Sequence, residues 1–193
     1  HEAFPAYKAQ REEMPDELVD QLPYIEKVTL AMNIPFLKLP GYEADDIIGT
    51  LARRAEKENV DTMMVSGDKE FLQLVGDKIK LYNTKKGGEI EIIGVEGPLK
   101  KWGVPVEHVT DMLALMGDSS DNIPGVPGIG EKTASKLVQQ FGSLEEIYKR
   151  IDEVTPERIK LKLIENKELA ELCKKLVTIH TETPIKVDFH ELK

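Results

Sequence analysis

Apolar side chains recur along this chain with two different spacings, and the change between them divides it into halves. From Pro15, the positions Leu18, Leu22, Ile25, Val28 and Met32 predict a helix with one apolar stripe, bent at Pro23. Phe36-Leu37-Lys38-Leu39 reads as a short strand stopped by Pro40-Gly41. Residues 43–58 return to helical spacing, with Ile47, Ile48, Leu51 and Ala55 on one side. Asp61 to Ser66 predicts a buried strand, followed by a short helix carrying Phe71, Leu72 and Leu74. Ile79–Asn83 and Glu89–Val95 predict two further strands joined by a turn at Lys85-Lys86-Gly87-Gly88.

Beyond about residue 95 strand patterns nearly vanish. Helical patterns fill 95–102, 105–116, 130–140, 143–150, 155–164 and 166–178, separated by Gly, Pro or Asp. The expectation is an α/β, Rossmann-like unit with a mainly parallel sheet over residues 1–104, then a helical region over 105–193.

A chain of 193 residues with 40% hydrophobic and 32% charged side chains can bury a real core. No apolar run is long enough to span a bilayer and no signal-peptide pattern is present, so the expected setting is cytoplasmic, away from membranes. Cys173 is the single cysteine, which excludes an internal disulfide and a cysteine zinc site; Leu172 and Leu176 predict its burial. The histidines lack metal-ligand spacing, and Trp102 reads as a helix-end packing residue. A net charge of −9 argues at first against nucleic acid. The objection weakens because seven acids sit in three short clusters that divalent ions would neutralise.

Those clusters are Glu43, Asp45 and Asp46 in Gly41–Asp46, Asp68 and Glu70 in Ser66–Glu70, and Asp118 and Asp121 in Gly117–Asn122. Hard divalent cations take oxygen ligands, and two-metal phosphodiester chemistry needs carboxylates converging from several elements. Each cluster also has a plain alternative. Acids in a first helical turn complement the macrodipole, and Asp and Ser are ordinary turn residues. Position favours the metal reading, since the first two clusters follow successive predicted strands, where α/β sheets bind ligands. The third runs into Gly125-Val126-Pro127-Gly128-Ile129-Gly130 ahead of a helix carrying Lys132 and Lys136. Such a run predicts a helix–hairpin–helix in which Val126 and Ile129 pin the turn and the N–H groups at Gly128 and Gly130 face a phosphate.

The motifs GYEADD, SGDKE and GDSSDNIPGVPGIGEKTA, in this order and spacing, resemble the 5′-nuclease (flap endonuclease) domain of the bacterial DNA polymerase I family across essentially the whole chain. The resemblance implies a PIN-like α/β core with a helix-3-turn-helix DNA clamp. It implies two magnesium (or manganese) ions held by the clustered carboxylates, a potassium ion at the hairpin, and DNA with a 5′ flap, nick or duplex end as partner. It implies DNA-binding roles for Gly125, Val126, Gly128, Ile129, Gly130, Lys132 and Lys136. Tyr7, Lys8 and Arg11, which would otherwise pass as a solvated mobile segment, match the family's helical arch. Lys8 and Arg11 then stabilise the scissile phosphate, and Tyr7 stacks on a base. A polymerase portion is expected to follow in the parent chain.

Two departures shape the expectation. Family members carry two further metal-binding aspartates upstream of the arch, and this chain begins too late to contain either. Glu70 stands where the family has Asp, leaving open whether it ligates directly or through water. The leading expectation is a 5′-3′ exonuclease and flap endonuclease acting in primer removal and repair. One alternative is a DNA-junction-binding fragment with little cleavage and some self-association through an exposed strand edge. A phosphate-ester hydrolase would share the acid clusters but has no use for the glycine hairpin.

Overall fold

A computed structural model describes residues 4–84 and 89–189. The predicted turn at 85–88, together with His1 and His190, lies outside the described residues.

The first half holds three α-helices and a small sheet. Helices α1 (Asp16–Val19) and α2 (Leu22–Ala31) replace the single bent helix expected there, and Pro23 sits in the first turn of α2. Proline is tolerated there because its missing N–H has no helical acceptor. Neither helix buries a residue. Helix α3 (Ala44–Lys57) follows a capping box in which Glu43 and Asp46 satisfy one another's backbone amides, and it buries Ile47, Thr50, Ala52 and Ala55. Strand β1 (Thr62–Val65) pairs parallel with β2 (Ile79–Thr84), and β2 pairs antiparallel with β3 (Ile90–Ile93). The sheet order is β1-β2-β3, so it carries one parallel and one antiparallel pairing among the described residues.

Two local expectations are corrected. Phe36–Leu39 is not a strand: a strand needs a neighbour to complete its hydrogen-bond ladder, and none lies alongside among the described residues. Strand β1 is half-buried rather than buried. Met64 points into the core, while Met63 and Val65, 46% and 68% exposed, share the outer face with Ile90 and Ile92.

The second half is helical: α4 (Gly97–Trp102), α5 (Val109–Met116), α6 (Glu131–Phe141), α7 (Leu144–Lys149), α8 (Glu157–Glu165) and α9 (Lys167–Val177). Helix α5 runs through the middle, with Val109, Met112, Leu113, Ala114 and Leu115 fully buried. Cys173 and Trp102 are buried as expected. One apolar cluster spans both halves, from Met64, Ile79 and Leu81 to Leu137, Ile147 and Leu163. The segment after α9 returns across α3. Arg54 donates to the carbonyls of Ile185 (2.6 Å) and Thr183 (2.8 Å), and the His180 amide donates to Asp46 Oδ1 (3.0 Å).

Candidate metal centre and hairpin

The acids arrive on loops and helix starts whose geometry they help build. Asp68 follows β1 and caps a 3₁₀ turn (Lys69–Gln73) by accepting from the Glu70 amide at 2.8 Å. Asp118 follows α5, accepts from the Ser120 amide at 2.8 Å, and bridges to Ile123 through two backbone hydrogen bonds of 2.8 and 2.7 Å. Gly117 at the end of α5 has φ +76, and Gly125 in the hairpin has φ +63. Their backbones touch, since a Cβ on Gly117 would lie 2.8 Å from Gly125 N. Only glycine fits this approach.

Electrostatics joins the clusters into one neighbourhood. Burial pushes the Glu70 carboxyl up to about 8, and Asp68, Asp121, Asp118 and Asp45 push the same way. Burial, then Asp68, also raises Asp45. Like charges packed this way favour the protonated form unless a cation arrives.

The resident cations are side chains of this chain. Lys8 pairs with Glu43 and, at 3.3 Å, with Asp121; Arg11 pairs with Asp121 at 2.5 Å; Lys69 pairs with Asp118 at 3.1 Å. Tyr7 is 8% exposed, and its hydroxyl donates to Asp121 (3.2 Å) and Glu43 (3.3 Å). Burial raises the Tyr7 hydroxyl, and the Glu43 partner raises Lys8 against the opposing effect of burial. Gln10 reaches the carbonyls of Ser119 and Ser120, and Asn122 reaches that of Ala6. Residues 5–10 therefore form turns laid over the 119–122 loop, not an arch helix; Tyr7 and Lys8 are covered, while Pro5, Ala6, Ala9 and Gln10 are exposed. Ion pairs to the loop hold them, whereas an isolated turn of helix is costly to nucleate.

The seven expected ligands do not form a ready cage. Among the described residues, no three His, Cys, Asp or Glu side chains come together closely enough to hold a metal ion. Glu43, Asp118 and Asp121 are drawn toward lysine and arginine, and Asp46 gives one oxygen to the Glu43 amide and the other to the His180 amide. Asp46 thus keeps the capping role that first-turn acids ordinarily have. The donor set still suits a hard divalent ion, being all oxygen, and Glu70 Oε1 is buried without a partner.

In the hairpin, Val126 and Ile129 are buried side chains, so they pin the turn and do not offer side chains to DNA. The Val126 amide donates to Leu115 O (2.9 Å) and the Ile129 amide to Val126 O (2.9 Å). Among the described residues, the amides of Gly128 and Gly130 have no acceptor, and Gly130 opens α6 without a side-chain cap. Lys132 and Lys136 are exposed. Sequence reasoning missed Lys69, although its place between Asp68 and Glu70 was visible, and it missed Gln10 and Asn122, whose contacts are distant in sequence.

A resolvase-like α/β unit with acids after β1 and at the start of α3, followed by a helical unit, defines a nuclease-type architecture. The chain belongs to the 5′-3′ exonuclease family: residues 1–103 match the model for its N-terminal resolvase-like domain, and residues 104–193 that for its C-terminal SAM fold. It is 45% identical to DNA polymerase I of Bacillus caldotenax over 193 residues, covering 100% of this chain and 22% of that protein. It is 46% identical to the Bacillus subtilis DNA polymerase I over 194 residues, again with 22% of the relative covered. Among solved structures it resembles T5 5′-exonuclease with bound zinc, at TM-score 0.78 and 25% identity, covering 93% of this chain and 69% of that one. The catalytic core of Rad2 in complex with DNA substrate shares the fold, at TM-score 0.54 and 18% identity, over 92% of this chain and 62% of that one. No described helix is long and apolar enough to cross a membrane.

Proposed function

We propose that the chain is the metal-dependent 5′-nuclease part of a DNA polymerase I, acting on DNA at 5′ flaps, nicks and duplex ends. The observation that carries this reading is the junction of Gly117 with Gly125 and of Asp118 with Ile123, which fixes an acidic loop directly against a glycine hairpin. On this reading a hydrolytic centre and a backbone phosphate clamp would be held at one spacing. Bound magnesium or manganese, as two ions, would supply Lewis-acid charge and a water of lowered pKa. Glu43, Asp45 and Asp68 would hold the first, with Asp46 setting the helix start. Asp118 and Asp121, with Glu70, would hold the second. Lys8 and Arg11, released from Glu43 and Asp121, would turn to the scissile phosphate, and Tyr7 to a base. Gly128 and Gly130 would meet duplex phosphates through the backbone, with the buried Gly125 setting the turn, Lys132 and Lys136 beside them and a potassium ion at the turn.

A second reading is favoured by the dispersed carboxylates: DNA-junction binding with little cleavage. Binding and cleavage of a 5′-flap substrate, measured separately with magnesium and with EDTA, decide between the two. Metal-dependent release of the flap supports the nuclease; tight binding without release supports the second reading. The clamp itself is tested at Gly130, where a Cβ meets nothing within 4 Å. Gly130→Leu should leave melting unchanged and weaken duplex binding without base preference. Unchanged affinity in that variant would remove the clamp from the proposal.

A further inference from the structure

The open glycine of the hairpin is met by a side chain from a distant helix. At Gly128 (φ +77) an added Cβ would collide with Nζ of Lys162, with Cε at 3.1 Å and Cδ at 3.6 Å from the same point. The lysine therefore lies along the turn with its ammonium nearest the backbone. Lys162 is half-buried in the last turn of α8, whose residues Ile159 and Leu163 anchor in the core.

Its surroundings differ from those of Lys160 and Lys174. Lys160 pairs with Asp152 at 2.8 Å, and Lys174 pairs with Asp111 at 2.6 Å and Glu145 at 2.8 Å. Among the described residues, the Lys162 ammonium has neither a carboxylate nor a carbonyl partner. The Gly128 and Gly130 amides beside it also lack acceptors. A cation and unpaired amides gathered on one turn suit a phosphodiester oxygen.

We propose that Lys162 is part of the hairpin's phosphate grip, its ammonium bonding the same backbone phosphate that the Gly128–Gly130 turn holds. This rests on the reading of the hairpin as a DNA clamp and adds a binding residue from α8. The contact is to phosphate, so it carries no sequence preference. It also makes grip strength depend on how α8 is seated against the turn.

The test is duplex binding by fluorescence anisotropy across a salt series, using the full chain. Lys162→Met keeps the stem and removes the charge, Lys162→Gln is a second neutral variant, and Lys162→Arg keeps the charge. Loss of one phosphate contact should weaken binding about threefold to tenfold for every sequence and lower the salt slope by about 0.9. Lys162→Arg should stay close to the parent, as should Lys160→Met. Neutral variants that melt normally and keep both affinity and slope would overturn the proposal. If Gly130→Leu weakens binding while the neutral Lys162 variants do not, this inference falls and the clamp reading stands. If none of them changes binding, both fall.

Discussion

Gly117 and Gly125 meet backbone to backbone: a Cβ built on Gly117 lies 2.5 Å from Ile123 O, and one built on Gly125 lies 2.7 Å from Leu115 O. Both have positive φ, so a side chain at either is opposed by its own backbone as well as by its neighbour. Gly117→Ala or Gly125→Ala should destabilise the chain by about 1–3 kcal/mol or more. In a protein of this size that is a fall of about 2–4 °C in melting temperature per kcal/mol. The same variants should reduce both metal response and DNA affinity, because one contact sets both positions. Thermal melts with and without ligand read this directly; an alanine that melts like the parent would contradict it.

On the proposed reading, Lys8 and a divalent ion would compete for the same oxygens, those of Glu43 and Asp121. Removing the lysine should therefore strengthen metal binding even though a favourable contact is lost. Lys8→Met is expected to bind manganese more tightly than the parent, about threefold to tenfold by calorimetry, on the scale of one ion pair to a buried partner. Magnesium or manganese should raise the melting temperature of the parent by mass action. The Asp118→Asn plus Asp121→Asn variant should respond much less. An equal shift in both would exclude these two acids as ligands.

Glu70 predicts a pH dependence of definite sign. Its folded pKa is raised from 4.5 to about 8, so between those values the folded state holds a proton that the unfolded state has released. Stability from this group is greatest below about pH 4.5 and falls as pH rises through about 8. Glu70→Gln, which cannot ionise, should flatten the decline over that window and melt higher than the parent above pH 8. Metal should do the same by satisfying the charge. Chemical denaturation from pH 5 to 9 checks it, and a parent whose stability rises with pH across the window through this residue would refute it.

Asp111 ties three helices at one buried point. It is 2% exposed and receives Lys174 at 2.6 Å, the Leu144 amide at 2.9 Å and His108 at 3.2 Å, joining α5 to α7 and α9. Removing Asp111 leaves the Leu144 amide without its acceptor and Lys174 with Glu145 alone, at a cost of about 3 kcal/mol. Asp111→Ala should lower the melting temperature by about 10 °C. A loss of only one or two degrees would mean that Glu145 and solvent already satisfy Lys174.

The legible parts of the fold were those set by local periodicity. The helices after residue 95 each bury a stripe, such as Leu137, Val138 and Phe141 in α6, and spacing alone marks them. Phe36–Leu39 has strand composition, yet strands are completed by neighbours, and composition does not reveal a missing one. Tyr7 looked solvated because its partners, Glu43 and Asp121, lie 36 and 114 positions away. Asp46 is read from sequence as a ligand, and its bond from the His180 amide, 134 positions on, is out of view there. Acid clusters could be found by eye; which acids are spoken for could not.

The strap after α9 has a consequence for how the chain matures. Asp46 waits for His180, Thr50 for Thr183, and Arg54 for Ile185, across separations of 134, 133 and 131 positions. At a synthesis rate of about 5–20 residues per second, α3 spends roughly 7–27 s on the ribosome before its strap exists. Throughout that interval Asp46, Thr50 and Arg54 lack the strap groups they bond in the finished fold. Glu43 needs no strap, since Tyr7 and Lys8 hold it; at the start of α3 it is Asp46 whose place is completed last.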